Sequence, residues 1–336
     1  MDIEIKSMKF PKGDHLFLAD TQLNEYTENR ICNGCKSTMV PYAQIINKSQ
    51  ETGLETSLCP KCGFTKRTRN LTDHFFFKHF SSKWLIGRDE QIKKNDYVYS
   101  KLKDHLPKSG KILDLGCGLG SNLLAFKDAG YDVYGVDPSK HRSEIGMKIM
   151  PNITTGTAEE YLSNSKIKFD AIYLFDVLQF VKDPYKLLSM AINSLVDGGK
   201  LFFKIGIYHH RSNFSQFSHF GVLRSYINMY SIVDKFDVWG VEPVHYQKEP
   251  FEIILSKSNN NLSWRENIDN KINKLDTHDI ELFAKKTLNY FRLKFFGKTK
   301  LRYLNRVSHL ELIKPVEKIL PVRFIHDTNK LPIIFK

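Results

Sequence analysis

Short apolar runs alternate with amphipathic stretches through the middle of the chain, from Lys111 to about Ser256. Runs apolar at nearly every position suit strands buried on both faces. Segments with apolar positions at helical spacing suit helices that cover such strands. Their alternation predicts βαβ units on a parallel sheet. Strands are expected at Lys111–Leu115, Asp132–Val136, Ala171–Phe175 and Lys200–Lys204, with helices near Ser121–Ala129, Lys140–Ile149 and Pro184–Leu195. Gly198-Gly199 reads as a helix stop before a buried strand. Phe217–Val233 has a helical pattern, and FEIILS at Phe251–Ser256 reads as a closing strand.

The flanks follow other rhythms. Residues 31–70 form a cysteine-bearing module that ends in the basic run Lys66-Arg67-Thr68-Arg69. An aromatic, amphipathic stretch follows, predicting a helix across Arg88 to Leu106 that Pro107 and Gly110 terminate. After Ser256 comes an Asn-rich break and then a basic tail. The expected organisation is therefore an N-terminal module over 1–82, a linker helix over 83–107, an α/β domain over 108–256 and a C-terminal extension, expected helical, over 257–336. No internal repeat is apparent.

Composition narrows the class. The chain has 336 residues, 41% hydrophobic and 12% aromatic, which excludes disordered, collagen-like and low-complexity chains. No apolar run approaches the roughly 18 to 20 residues of a spanning helix. MDIEIKSMKF has no apolar core behind its charges, so a soluble, cytoplasmic protein is expected. The net charge of +13 calls for an acidic partner, but its distribution is uneven. Residues 1–82 and 83–256 are each +2, whereas 257–336 are +9, with no acid between Leu282 and Leu310. There Lys and Arg interleave with Tyr290, Phe291, Phe295, Phe296 and Tyr303, a composition suited to RNA or to an anionic membrane surface. It equally suits a solvated helix face.

The cysteines are patterned. Cys32-x-x-Cys35 and Cys59-x-x-Cys62 lie 23 residues apart, and Cys117 stands alone in a glycine-rich turn. In an intracellular chain, two such knuckles read as a zinc ribbon whose four thiolates close a tetrahedral structural site.

The most informative segment is ILDLGCGLGSNL at residues 112–123. An apolar strand runs into Gly116, Gly118 and Gly120 and then into a helix, so backbone can approach a ligand at the sheet's carboxyl edge. Gly120 also suits close helix packing. Asp137, at the end of the next strand, is placed to accept from ribose hydroxyls. Asp114 precedes the glycines, where a carboxylate can meet a ligand's positive end. The G-x-G-x-G spacing suits a sulfonium with an amino-acid tail better than a pyrophosphate.

On these residues the chain resembles the class I S-adenosylmethionine-dependent methyltransferases over roughly 108–256. ILDLGCGLGSNL is similar to their first motif and YGVDPS to their second. FDAIY with Asp176-Val177-Leu178 is similar to their fourth strand, and Asp183-Pro184 through Gly198-Gly199-Lys200-Leu201 to the helix and fifth strand. The resemblance implies a Rossmann-like doubly wound sheet. It sets Asp114, Gly116 and Gly118 at the methionine moiety, Asp137 at the ribose, Thr157, Ala158 and Glu159 by the adenine, and Phe175 and Asp176 at the active-site lip. The chain departs from many relatives in having Gln179 and Phe180 where they have Glu and His. That departure leaves a non-catalytic scaffold as one alternative.

The acceptor is a separate question. Past the fifth strand, His209, His210 and His219 cluster in an insert expected over the sheet's carboxyl edge, and unperturbed imidazole is a suitable general base. His219 matches a histidine of similar zinc-ribbon methyltransferases. The Asn/Asp-Pro-Pro-Tyr/Phe loop of adenine amino methylation is absent, and Cys117 lies too deep in the turn to serve cytosine C5 chemistry. A zinc ribbon ahead of this domain resembles methyltransferases of surface-polysaccharide and deoxysugar pathways, which implies O-methylation of a sugar, sugar nucleotide or other glycan-pathway metabolite. The alternative is an rRNA or tRNA methyltransferase that uses the ribbon and the basic tail to hold RNA.

Overall fold

The computed structural model describes residues 30–46, 52–59, 64–69, 92–205, 224–227, 232, 235–247, 251–258 and 322–324. In chain order the strands begin with β1 (Val40–Ile46), β2 (Thr52–Leu58), β3 (Thr65–Arg69), β4 (Lys111–Leu115), β5 (Asp132–Asp137) and β6 (Ile153–Thr155). They continue with β7 (Phe169–Phe175), β8 (Leu195–Ile205), β9 (Ser225–Tyr226), β10 (Val241–Gln247), β11 (Phe251–Lys257) and β12 (Val322–Phe324). The helices are α1 (Tyr97–Leu102), α2 (Leu123–Asp128), α3 (Lys140–Met147), α4 (Ala158–Asn164), α5 (Pro184–Asn193) and α6 (Phe236–Trp239). Contacts divide the chain into two compact units, one of Met1–Thr72, His210–Ser231 and Glu266–Lys336, the other of Asp73–His209 and Ile232–Arg265.

The larger sheet has the order β6-β5-β4-β7-β8-β11-β10. Strands β4 to β8 run parallel, and β11 lies antiparallel between β8 and β10. This mixed order fits the Rossmann-like sheet that the sequence resemblance implies. β4 and β7 are buried at nearly every position, as strands covered on both faces must be. On one face Val98 and Leu102 of α1 and Leu123 and Phe126 of α2 pack with Ile112, Ala171, Tyr173 and Phe202. Phe126 stacks on Tyr173 at 5.7 Å between centroids. Each buried Val, Leu, Ile or Phe side chain contributes about 1.5–3 kcal/mol, so this face anchors α1 and α2 to the sheet. The strand order reverses at β4, between β5 and β7, and such a switch point opens a ligand crevice at the carboxyl edge.

The other unit holds a five-stranded antiparallel sheet, β12-β1-β2-β3-β9. Its central meander is local, but β9 and β12 come from far along the chain. Thr65 and Lys66 pair with Tyr226 and Ser225, and Ile45 pairs with Val322.

Several elements differ from expectation. The helix expected from Arg88 is absent over the described residues 92–96 and starts at Tyr97. Asn95 sets that start: its Oδ1 accepts from Tyr97 N at 3.0 Å while its own N–H donates to Ser121 O at 3.0 Å. β8 begins at Leu195, so Gly198-Gly199 lie inside the strand rather than before it, and the β7–β8 register shifts beside them. Within the predicted helix Phe217–Val233, Ser225–Tyr226 is instead a strand, because pairing with β3 outweighs its helical pattern. The described part of the C-terminal extension, Val322–Phe324, is also a strand. β6, α4 and β10 were not expected. Among the described residues no helix is long and apolar enough to cross a membrane.

Candidate active site

The strand β4 ends where the backbone must turn sharply, and the glycines divide the work of that turn. Gly116 and Gly120 are packed: a Cβ on Gly116 would lie 2.5 Å from Val177 Cγ2, and one on Gly120 2.4 Å from Met150 Cε. Gly118 differs, having φ +57° and open space within 4 Å of the position a Cβ would take. The turn thus presents one bare stretch of backbone to the crevice. Cys117 between them is a buried thiol whose pKa burial pushes well up, which makes it a poor nucleophile.

Asp137, the last residue of β5, reaches this backbone. Its Oδ2 accepts from Gly118 N at 2.9 Å and its Oδ1 from Ser139 N at 2.9 Å. Burial raises its pKa, while the two backbone donors and Arg142 act against the rise. Asp114 is 1% exposed, and among the described residues its Oδ2 has no hydrogen-bond partner. Burial drives its pKa well up and the Asp137 charge adds to this, against the neighbouring Tyr173 hydroxyl. A buried carboxylate with an unmatched oxygen is costly unless a ligand supplies a donor.

Asp176, just past β7, has φ +58°, in the left-handed region that side chains avoid. Its N–H donates to Lys204 O at 2.9 Å, and its Oδ1 is buried without a partner among the described residues. Burial raises its pKa and Lys204 opposes the rise. Such strain at a strand's carboxyl end points to function. Ala158 and Glu159 open α4, whose start is fixed by a reciprocal cap between Thr157 and Glu160. The fold therefore brings Asp114, Gly116, Gly118, Asp137, Phe175 and Asp176 together at one edge, with Ala158 and Glu159 beside the β6 end. A cavity of about 370 Å³ borders these strand ends under α4, lined by Val136, Thr155, Gly156 and Tyr161 among others. Neither Gly118 nor Asp137 lines it.

Three residues of this edge were not singled out from sequence. Tyr97 of α1 packs edge-on against Phe175 with centroids 5.5 Å apart, and its hydroxyl donates to the buried Glu252. Lys204 lies 4.4 Å from the Tyr97 ring centroid and 4.6 Å from that of Phe175. Glu252 meets Lys101 at 3.2 Å and Lys204 at 3.9 Å, and burial pushes its pKa up. A lysine closing the apolar run Leu201-Phe-Phe was the only signal available. Its partner on β11 is paired through sheet register, which a single sequence does not display.

In the other unit, Cys32, Cys35 and Cys59 gather with their sulfurs all within 4.8 Å of one another. Cys35 and Cys59 Sγ are 3.4 Å apart, and Cys35 N–H donates to Cys32 Sγ at 3.5 Å. Lys66 Nζ ties the first knuckle, donating to Ile31 O at 2.9 Å and Asn33 Oδ1 at 3.0 Å. Three converging thiols with an amide donor to sulfur fit a thiophilic metal such as zinc. Cys62 lies outside the described residues, as do His209, His210, His219 and the basic stretch 282–310.

Residues 90–232 match the family described as methyltransferase domain. Over those residues the chain is similar to methyltransferase domains. A ubiquinone biosynthesis O-methyltransferase of Actinobacillus pleuropneumoniae is 32% identical over 120 residues, covering 32% of this chain and 50% of that protein. One from Aliivibrio fischeri is 29% identical over 101 residues, covering 28% and 42%. The chain thus spans about half the length of the curated relatives it matches. Among solved structures, an S-adenosylmethionine-bound amino pentose methyltransferase from Micromonospora echinaspora, involved in calicheamicin biosynthesis, has 13% identity and a TM-score of 0.40. That match covers 48% of this chain and 89% of the other.

Proposed function

We propose that this chain is an S-adenosylmethionine-dependent methyltransferase acting on a hydroxyl of a small-molecule acceptor. The observation that carries this reading is the Asp137 carboxylate clasping the bare backbone of Gly118, beside the unmatched Asp114 oxygen. Once the donor is bound, its sulfonium supplies an activated methyl group, which the acceptor oxygen takes in line as the carbon–sulfur bond breaks.

The chain's residues then have separable tasks. Asp137 is set to hold the ribose hydroxyls and Asp114 the α-ammonium. Gly116 and Gly118 let the backbone approach the methionine part, Gly120 seats the turn on its core, and Ala158 and Glu159 border the adenine. Phe175 and Asp176 form the lip on the acceptor side. An alcohol needs a base as it is methylated, and His219, His210 and His209 of the 206–223 insert are the candidates. The acceptor class we favour is a sugar, sugar nucleotide or related glycan-pathway metabolite, on the domain order of zinc ribbon and methyltransferase. Oxygen as the acceptor atom is supported by the O-methyltransferase relatives. In the other unit, Cys32, Cys35 and Cys59, completed by Cys62, would hold a structural zinc whose closed thiolate set takes no part in transfer.

Isothermal titration with S-adenosylhomocysteine tests the donor site. The wild-type chain should bind, and Asp137→Ala should weaken binding about 10- to 100-fold, as expected for loss of hydrogen bonds to a charged group. An unchanged affinity in a folded variant removes the assignment. Labelled methyl transfer across hydroxylated sugars and sugar nucleotides tests the acceptor class, and labelling of RNA instead would replace it.

A further inference from the structure

The donor that this fold implies is a zwitterion at its amino-acid end, so a site needs a cation as well as the carboxylate of Asp114. We propose that Lys204 is that cation, holding the α-carboxylate of S-adenosylmethionine while Asp114 holds its α-ammonium; this rests on the methyltransferase reading above.

Sheet register places the two residues on one face. Asp114 pairs across with Tyr173, and Tyr173 with Phe202. Lys204 lies two residues beyond Phe202, on the same side of the sheet and one tier nearer the carboxyl edge, in register with Phe175. The strands β4 and β8 are separated only by β7, roughly 10 Å in all at standard strand spacing. The long Lys204 side chain spans part of that gap, since its ammonium lies 4.6 Å from the ring of Phe175 on the intervening strand. The Lys204 ammonium thus leans over Phe175, toward the Asp114 side of its own strand.

The cation is held but not consumed. Its neighbours are two ring faces, Tyr97 and Phe175, the Asp176 carboxyl, which its charge influences, and the Glu252 Oε1 at 3.9 Å, too far for a hydrogen bond. Among the described residues the ammonium makes no hydrogen bond, and the side chain is 17% exposed. Glu252 is shared with Lys101, which approaches closer at 3.2 Å, and with the Tyr97 hydroxyl. One carboxylate thus serves two lysines, which leaves the Lys204 ammonium without a close acceptor among the described residues. The other titratable groups facing the edge are the carboxyls of Asp114, Asp137 and Asp176. They suit a ligand of net positive charge, and Lys204 suits the one negative group that ligand carries.

The test compares two ligands that differ by the amino-acid end. S-adenosylhomocysteine has it; 5′-methylthioadenosine keeps the adenosine and thioether and lacks it. In titrations on the full chain, Lys204→Met should weaken S-adenosylhomocysteine about 10- to 100-fold and leave 5′-methylthioadenosine unchanged. Lys204→Arg should recover most of the lost affinity. Equal weakening of both ligands, or of neither, overturns the assignment. If Lys204→Met does not fold, Glu252→Gln provides the second measurement. It frees the ammonium, so S-adenosylhomocysteine should bind as well or better, and weaker binding confined to that ligand counts against Lys204. A wild-type chain that binds neither ligand overturns the methyltransferase reading itself, an outcome distinct from a failure at Lys204.

Discussion

Water is withheld from the Asp114 carboxylate by β4, β7 and the glycine turn, so its charge is disfavoured until a ligand arrives. An ammonium beside it reverses that preference. Binding of S-adenosylhomocysteine near neutral pH should then release protons, visible as a buffer-dependent binding enthalpy, and Asp114→Asn should remove most of the release. The same shift fixes a stability trend in the ligand-free chain. A carboxyl whose folded pKa is raised favours the fold fully below its unfolded value of about 4 and progressively less as pH rises through its folded value. Asp137, Asp176 and Glu252 shift in the same direction. The thermal midpoint of Asp114→Asn should therefore fall less steeply above about pH 4 than that of the wild type. An equally steep fall would mean that Asp114 is not kept protonated.

At the scale of elements, the glycine turn separates stability from binding. Gly120 has φ +84°, and a Cβ there would meet Met150 Cε at 2.4 Å and Ile153 Cδ1 at 3.0 Å. Gly120→Ala should thus cost about 1–3 kcal/mol of stability through strain and overpacking, with affinity per folded molecule retained. Gly118→Ala has only its left-handed backbone to oppose it, about 1–2 kcal/mol, but its methyl would occupy the ligand's space. It should lower S-adenosylhomocysteine affinity by more than tenfold; thermal unfolding and titration of the two variants measure both effects. This turn was legible because strand, glycines and Asp137 are local in sequence, and β4 falls at the expected Lys111–Leu115. The first residue of α1 was not legible, since it depends on the Asn95 bonds to Tyr97 and Ser121. The Lys204–Glu252 pairing was hidden for a related reason: β11 enters the sheet between β8 and β10, against the chain order.

Across the whole molecule the same division holds between local signals and distant pairings. The expectation of a metal site comes from the C-x-x-C knuckles alone, and the convergence of the three described thiols is compatible with it. Nothing local says that the sheet beside them takes β9 from residues 225–226 and β12 from residues 322–324. Those strands are short, and their partners are more than 150 residues away. If a metal holds the knuckles, it fixes the ends around which β1 to β3 pair. Metal analysis should give one zinc per chain. Removing it with a chelator at neutral pH should raise hydrogen exchange in β1, β2 and β3. Exchange in β4 and β7 should stay slow, because every strand of the seven-stranded sheet belongs to the other unit. A metal-free chain with β1 to β3 already protected would show that packing alone sustains the five-stranded sheet.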